Sequence, residues 1–350
     1  MTGTTGQVPD AAGALGSRRR RRTFDRAARG TVPYWLILPV AVAMVAILAY
    51  PLYQLIVISF QRYGLFELIR HSGTWIGIDN YRFILHDPVF WDTLVRTIVF
   101  TIVNVALTIL IGTLIALLLV RISTFMRILL TAGLMLVWAM PVVVAVQVWY
   151  WITNFQNGVL NYALTRLGVG DYFQHDWYVT PTSQLAMVTS LIVWGAIPFI
   201  VVAVYAGLAQ VPDELVEAAE IDGARPWRIF RDVTFPILKP IFLILTSLSI
   251  IWDFGVFTQP FLLIGESHID TRNYLMGIYL YEQGYAKSDF GLGAAISVLM
   301  LIMVAAMPIL RVIGKNGASI LVRVMGMILA ALSVELIMAG LGVQQWLGAP

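Results

Sequence analysis

Residues 211–240 read VPDELVEAAEIDGARPWRIFRDVTFPILKP. Ten of these thirty side chains are ionisable, in a chain where only 12% of residues are charged. The flanking stretches, 184–208 and 241–264, are each long and apolar enough to cross a bilayer, for which an α-helix needs about 20 residues. The polar island is therefore read as a loop at a membrane surface. Its Pro and Gly positions carry helix start and stop signals, which makes it a structured docking element and not slack chain.

Working outward, the composition agrees. The 350 residues are 59% hydrophobic, with a mean hydropathy of +0.80. A soluble domain of that size cannot hide so much apolar surface, so lipid must be its solvent. The absence of cysteine excludes disulfides, Cys-based zinc sites and Cys nucleophiles. His71, His86, His175 and His268 are scattered without paired-ligand spacing, so no metal site is expected. Six segments qualify as spans: about 34–59, 94–120, 128–152, 184–208, 241–264 and 289–312. The expected fold is all-α, a polytopic transmembrane bundle of six core helices. A possible seventh, about 319–342, holds Arg323 and Glu335. Pro39, Pro51, Pro141, Pro198 and Pro260 fall within these segments and are expected to kink or break them. Three regions follow: a disordered basic tail at 1–32, a membrane domain at 33–313, and an extra apolar segment at 314–350 to which no role is assigned.

Charge placement sets the expected orientation. Seven arginines lie within residues 18–29, beginning with the run Arg18–Arg22. With the N-terminus inside and six crossings, sixteen Lys and Arg fall inside and seven outside, the bias the positive-inside rule requires. The island then faces the cytoplasm. The loops at 61–92, 153–183 and 265–288 face outward, where they can receive an external partner or supply interfacial aromatics.

Within the island, Pro212 suits a first helical position, and Asp213, Glu214 and Glu217 sit near the positive end of the helix dipole. Leu215, Ala218 and Ala219 share a face, and Gly223 ends the helix. A second short helix is expected over Pro226–Val233, with Trp227, Phe230 and Val233 as its apolar face. Pro236 and Pro240 are expected to stop helical continuation before the next span.

This helix–Gly–helix element resembles the EAA motif of ABC importer permeases, through Glu217, Ala218, Ala219, Asp222, Gly223, Ala224, Phe230, Pro236 and Pro240. Across about residues 34–312 the chain is similar to the carbohydrate-uptake permeases of the maltose, trehalose and glycerol-phosphate type. IGIDNYRFIL at 76–85, WITNFQNGVLNYAL at 151–164 and DFGLGAAISV at 289–298 carry the looser part of that resemblance. The resemblance implies a multi-pass protein of the bacterial inner membrane. It implies that Glu217, Ala218, Ala219, Asp222, Gly223, Ala224 and Phe230 couple to a separate ATP-binding subunit dimer. A second homologous permease subunit and an extracytoplasmic sugar-binding protein would complete the importer. No cofactor is expected in this chain, since ATP and Mg would lie on the partner. No GxxxxGK[ST] phosphate loop is present, in keeping with a transport subunit that does not itself hydrolyse ATP. No nucleic-acid partner is expected.

Polar residues inside spans are costly and often functional. Asp253 beside Trp252, Gln147 with Trp149 and Tyr150, and Asn104 are therefore candidates for the substrate pathway, each with an interhelical hydrogen bond as the structural alternative. The residues leave the sugar open among trehalose, maltose, other oligosaccharides and glycerol-3-phosphate. They also leave an ion-coupled secondary transporter or a membrane scaffold as rival readings.

Overall fold

The computed structural model describes residues 32–265 and 269–306. The arginine tail up to residue 31 and the apolar segment at 314–350 lie outside the described residues. Helix α1 (Val32–Ser59) is apolar along its 28 residues and carries Pro39 and Pro51 internally. A two-residue antiparallel pair, β1 (Gln61–Arg62) and β2 (Thr74–Trp75), frames the short α2 (Leu65–Arg70). Then come α3 (Asp79–His86) and the 34-residue α4 (Pro88–Arg121).

Helix α4 begins where Asp87 accepts a hydrogen bond from the Val89 amide at 2.9 Å, with Pro88 in the first turn, a start that satisfies an otherwise unpaired donor. At 1.5 Å per residue it is about 51 Å long, so it outruns a hydrocarbon core of about 30 Å. Helix α8 (Pro181–Leu208) starts in the same way, with Thr180 as cap and Pro181 next.

The third expected span is not one straight helix. It is α5 (Thr124–Trp138) and α6 (Val142–Ile152), bent by 105°. Pro141 lacks an N–H and pushes Met140 out of helical geometry, so the chain turns there. After α7 (Val159–Arg166) and α8, the island forms α9 (Asp213–Ile221) and α10 (Pro226–Ile229).

The expected stop at Pro236 and Pro240 does not occur. A π-helical turn at Phe230–Thr234 leads directly into α11 (Phe235–Phe254), which contains both prolines. Pro236 has no N–H to give the Asp232 carbonyl, and the wider turn, closed by Phe235 N–H on Phe230 O, carries the chain past that missing bond. The fifth expected span, 241–264, is interrupted instead at Gly255–Phe257 and resumes as α12 (Thr258–Ile264). Helix α13 (Met276–Leu280), a second π turn at Tyr281–Ala286 and α14 (Phe290–Ala306) follow. Among the described residues four helices are long and apolar enough to cross a membrane, five if the bent pair counts as one. The remainder of the sixth expected span, 289–312, lies outside the described residues.

The centre is the packing of α4 on α8. Thr93, Thr97, Thr101, Asn104, Thr108, Gly112 and Ala116 recur every three or four residues on α4 and are buried. Small side chains on one stripe let the two backbones approach without a hydrophobic driving force. At Gly112 a Cβ atom would lie 2.6 Å from Ile200 Cγ2, so only glycine fits. Three apolar clusters surround this axis. One joins Phe100, Val146, Val188 and Val256, a second Phe90, Phe254, Met276 and Tyr279, and a third Leu119, Val204, Leu238 and Phe242.

Candidate functional site

Helix α9 buries none of its residues. Leu215 is 48% exposed, Ile221 87% and the neighbouring Trp227 69%. Apolar side chains held out on a short rigid helix are costly in water and suit a surface that another protein covers. Glu217, Ala218, Asp222 and Gly223 are exposed, whereas Ala219, Ala224 and Phe230 are half-buried. Pro212 stands as the cap, one residue before the helix, and Asp213 and Glu214 occupy the first turn.

The end of α9 explains the spacing of the motif. Gly223 has φ +75°, the left-handed region that glycine enters without a Cβ penalty. Its N–H donates to Glu220 O at 2.9 Å, and Ala224 N–H donates to Ala219 O at 3.0 Å. This pair of bonds is the Schellman closure, in which the two amides after the helix satisfy carbonyls of its last turn. The second alanine of EAA and the alanine of DGA are thus joined through their backbones. The motif fixes where the helix stops and how the chain leaves it.

The second island helix differs from its expected face. Trp227 and Phe230 stack at 5.8 Å, but Ile229 and Thr234 are the buried residues. The inward face thus starts at Ile229, ahead of the π turn, and continues at Thr234 within it, off the 227–230–233 row. Arg228 and Arg231 both approach Asp232, at 3.5 and 2.7 Å, with all three side chains exposed. Pairs of that kind contribute little to stability.

Two of the intramembrane candidates, Trp149 and Trp252, pack on α8. Trp149 Nε1 donates to Ser190 Oγ at 2.9 Å, and its ring lies 5.2 Å from that of Trp194. Trp252 lies 5.6 Å from Phe199. The sequence reading did not single out Ser190, Trp194 or Phe199; the proximity of the last two to Pro198 was the available signal. Asp253 is 6% exposed, and its carboxylate has no hydrogen bond or ion pair among the described residues. Asn104 is fully buried; its amide donates to Phe100 O at 2.8 Å, and its Oδ1 has no hydrogen-bond partner among the described residues. Gln147 and Tyr150 are exposed, and Tyr150 packs 6.0 Å from Tyr178. No hydrogen bond joins Asp253 to Gln147, Trp149 or Asn104, so these groups border the bundle separately.

At the opposite end from the island the loop at 265–288 is tied to the loop at 61–92 and to the first turns of α4 and α8. Asn80 Nδ2 donates to Ser59 O at 2.9 Å and Gln61 O at 3.0 Å, closing the end of α1. The Arg96 guanidinium donates to Thr271 O and Tyr274 O at 3.1 and 2.9 Å. Asn273 donates to Gln184 Oε1 at 2.7 Å, and Tyr279 donates to Asp87 Oδ2 at 2.7 Å. The Asp270 carboxyl sits below the usual carboxylate range, chiefly through its hydrogen bond from the Arg272 guanidinium. Burial pushes the Tyr178 phenol up to about 12, against the opposing effect of its hydrogen bond with Thr153.

Comparison with known proteins bears on these features. Residues 108–315 match the family described as binding-protein-dependent transport system inner membrane component. The chain is 40% identical over 294 residues to the diacetylchitobiose uptake system permease protein DasB of Streptomyces coelicolor, covering 84% of this chain and 88% of the relative. It is 30% identical over 279 residues to the trehalose/maltose transport system permease protein MalF of Thermococcus litoralis, covering 79% and 90%. A crystal structure of a bacterial ABC transporter that imports the acidic polysaccharide alginate superposes with a TM-score of 0.68 at 17% identity, covering 83% of this chain and 96% of that one. That likeness speaks to the fold.

Proposed function

This chain belongs to the family of binding-protein-dependent transport system inner membrane components, and we propose that it is the permease subunit of an ATP-driven importer of a di- or oligosaccharide. The observation that carries the reading is α9, a Schellman-capped helix with no buried residue and with Leu215 and Ile221 held outward. Such a helix transmits force only if a partner seats it. An ATP-binding subunit dimer is the partner proposed, with Glu217, Ala218, Ala219, Asp222 and Gly223 at the contact and Ala224 and Phe230 behind it. The island faces the cytoplasm, together with the N-terminus. Closure of the ATPase dimer would displace α9, and the unbroken run from the π turn into α11 offers a stiff path to Trp252 and Asp253.

Sugars present apolar ring faces and many hydroxyls, so aromatic platforms beside buried polar groups suit them. Trp252 with Phe199, and Trp149 with Trp194, provide such platforms on either side of α8. Asp253 and Asn104 are the polar partners proposed for the pathway. A second permease subunit would supply the other half of it. The tied loops at the outer end would receive a sugar-binding protein. The names of the two relatives support a di- or oligosaccharide over glycerol-3-phosphate.

The test is reconstitution of the permease pair with its ATPase and binding protein in liposomes, followed by uptake of labelled disaccharides. Uptake that requires ATP and the binding protein is expected. Uptake that continues without the ATPase and collapses with an uncoupler would replace this reading with an ion-coupled one.

A further inference from the structure

Beneath the island lies a groove of about 1010 Å³ between α4, α11 and the inward side of α9. Its floor is apolar: Leu110, Leu114 and Leu117 of α4 face Phe242 and Leu243 of α11. From Ala106 to Leu117 the lining of α4 rises about 17 Å at 1.5 Å per residue, close to half of a hydrocarbon core of about 30 Å. The apolar floor therefore has the depth of a single leaflet. Beyond it the lining changes character within one turn of helix, to Arg121 and Lys239 on the membrane helices and Asp213 and Glu220 on α9. Asp213, Val216 and Glu220 follow helical spacing, so α9 has one face on this groove, while Leu215, Ala218, Ile221 and Asp222 do not line it. None of the four charged side chains is in an ion pair or a side-chain hydrogen bond among the described residues.

We infer that this groove is a binding site for one phospholipid whose headgroup carries a primary ammonium, as in phosphatidylethanolamine. Two cations at the interface suit the phosphate. Two carboxylates on α9, lining the same groove, suit an ammonium that donates hydrogen bonds. Phosphatidylcholine offers the same charges without N–H donors, and phosphatidylglycerol offers no cation. A transmembrane helix from another subunit could fill the apolar floor, but would leave both pairs of charges facing it. The inference rests on the chain's being embedded in a bilayer and not on the sugar-import reading.

The experiment is native mass spectrometry of the whole transporter complex, purified in detergent and offered phosphatidylethanolamine, phosphatidylcholine and phosphatidylglycerol with identical acyl chains. We expect retention of phosphatidylethanolamine over phosphatidylcholine by on the order of fivefold, the scale of two exposed charge-assisted contacts. The preference should vanish in the Asp213→Asn, Glu220→Gln double variant, while Arg121→Gln with Lys239→Gln should lower retention of both lipids. Equal retention of the three lipids, preference for phosphatidylglycerol, or an unchanged preference in the double variant would overturn the assignment. If a variant complex fails to assemble, the headgroup series on the unaltered complex decides alone. Because the chain has no cysteine, Leu114→Cys places one thiol on the groove floor. A crosslink from it to the second permease subunit would show a protein occupant and also overturn the lipid site.

Discussion

Replacing Gly223 by alanine isolates what the left-handed residue contributes to the island. A Cβ built at Gly223 would meet nothing within 4 Å, so steric exclusion by neighbours plays no part. The cost is confined to the backbone: φ is +75°, where an L-residue with a side chain is disfavoured by about 1–2 kcal/mol. Two closures depend on that geometry, Gly223 N–H to Glu220 O and Ala224 N–H to Ala219 O, at 2.9 and 3.0 Å. A penalty of this size lowers the population of the capped helix relative to the frayed one by roughly 5- to 30-fold. If the ATPase subunit recognises the capped form, its dissociation constant on the nanodisc-embedded permease pair should rise by the same factor, read by biolayer interferometry. Gly223→Asn, which enters the left-handed region more readily, should recover most of the loss. Ala and Asn variants that both bind like the unaltered protein would refute the role of the cap. Equal and severe losses in both would point to a requirement for bare backbone at the contact.

Three further outcomes are expected. Asn80→Leu leaves the Ser59 and Gln61 carbonyls without their donor and should destabilise the purified protein by about 1–3 kcal/mol; an unchanged midpoint of thermal unfolding would show that water replaces the amide. Asp253→Asn should slow sugar uptake severalfold while ATPase retention stays as before, and a variant that transports at the original rate would remove Asp253 from the pathway. The Asp270 carboxyl is depressed by its bond from Arg272, so its contribution to loop stability is complete above the ordinary carboxylate pKa and lost as pH falls through the lower folded value, below about pH 4. The protection factors of amides 269–274, taken against the intrinsic exchange rate at each pH, should therefore fall in acid, and an Asp270→Asn variant with the same acid response would show that another group is responsible.

The island and its limits were legible because they follow local backbone rules. Pro212 before α9 and Gly223 after it act within a turn of helix, and the EAA–DGA spacing is the spacing of the Schellman bonds. The break at Pro141 was equally readable as a break, but the 105° bend was not. Its angle depends on how α5 and α6 pack against other helices. Pro236 misled because the breaking rule assumes α-helical bonds, and the preceding π turn alters which carbonyls need a donor; Pro240 lies inside α11, beyond the reach of that turn. The motif at 76–85 was visible as a pattern, yet the work of Asn80 was not, since both of its acceptors lie about twenty residues earlier.

By itself, then, the sequence determined a membrane-spanning all-α chain with a structured polar element between two spans, because hydropathy, proline and glycine act on the few residues around them. Only the tertiary structure decided that Trp149 and Trp252 meet Trp194 and Phe199 on α8, that Asp253 is buried without a partner among the described residues, and that α9 turns Asp213 and Glu220 toward a groove. Those pairings depend on how far each helix is rotated about its axis when it packs. That rotation is fixed by contacts such as Gly112 against Ile200, made between residues far apart in the chain.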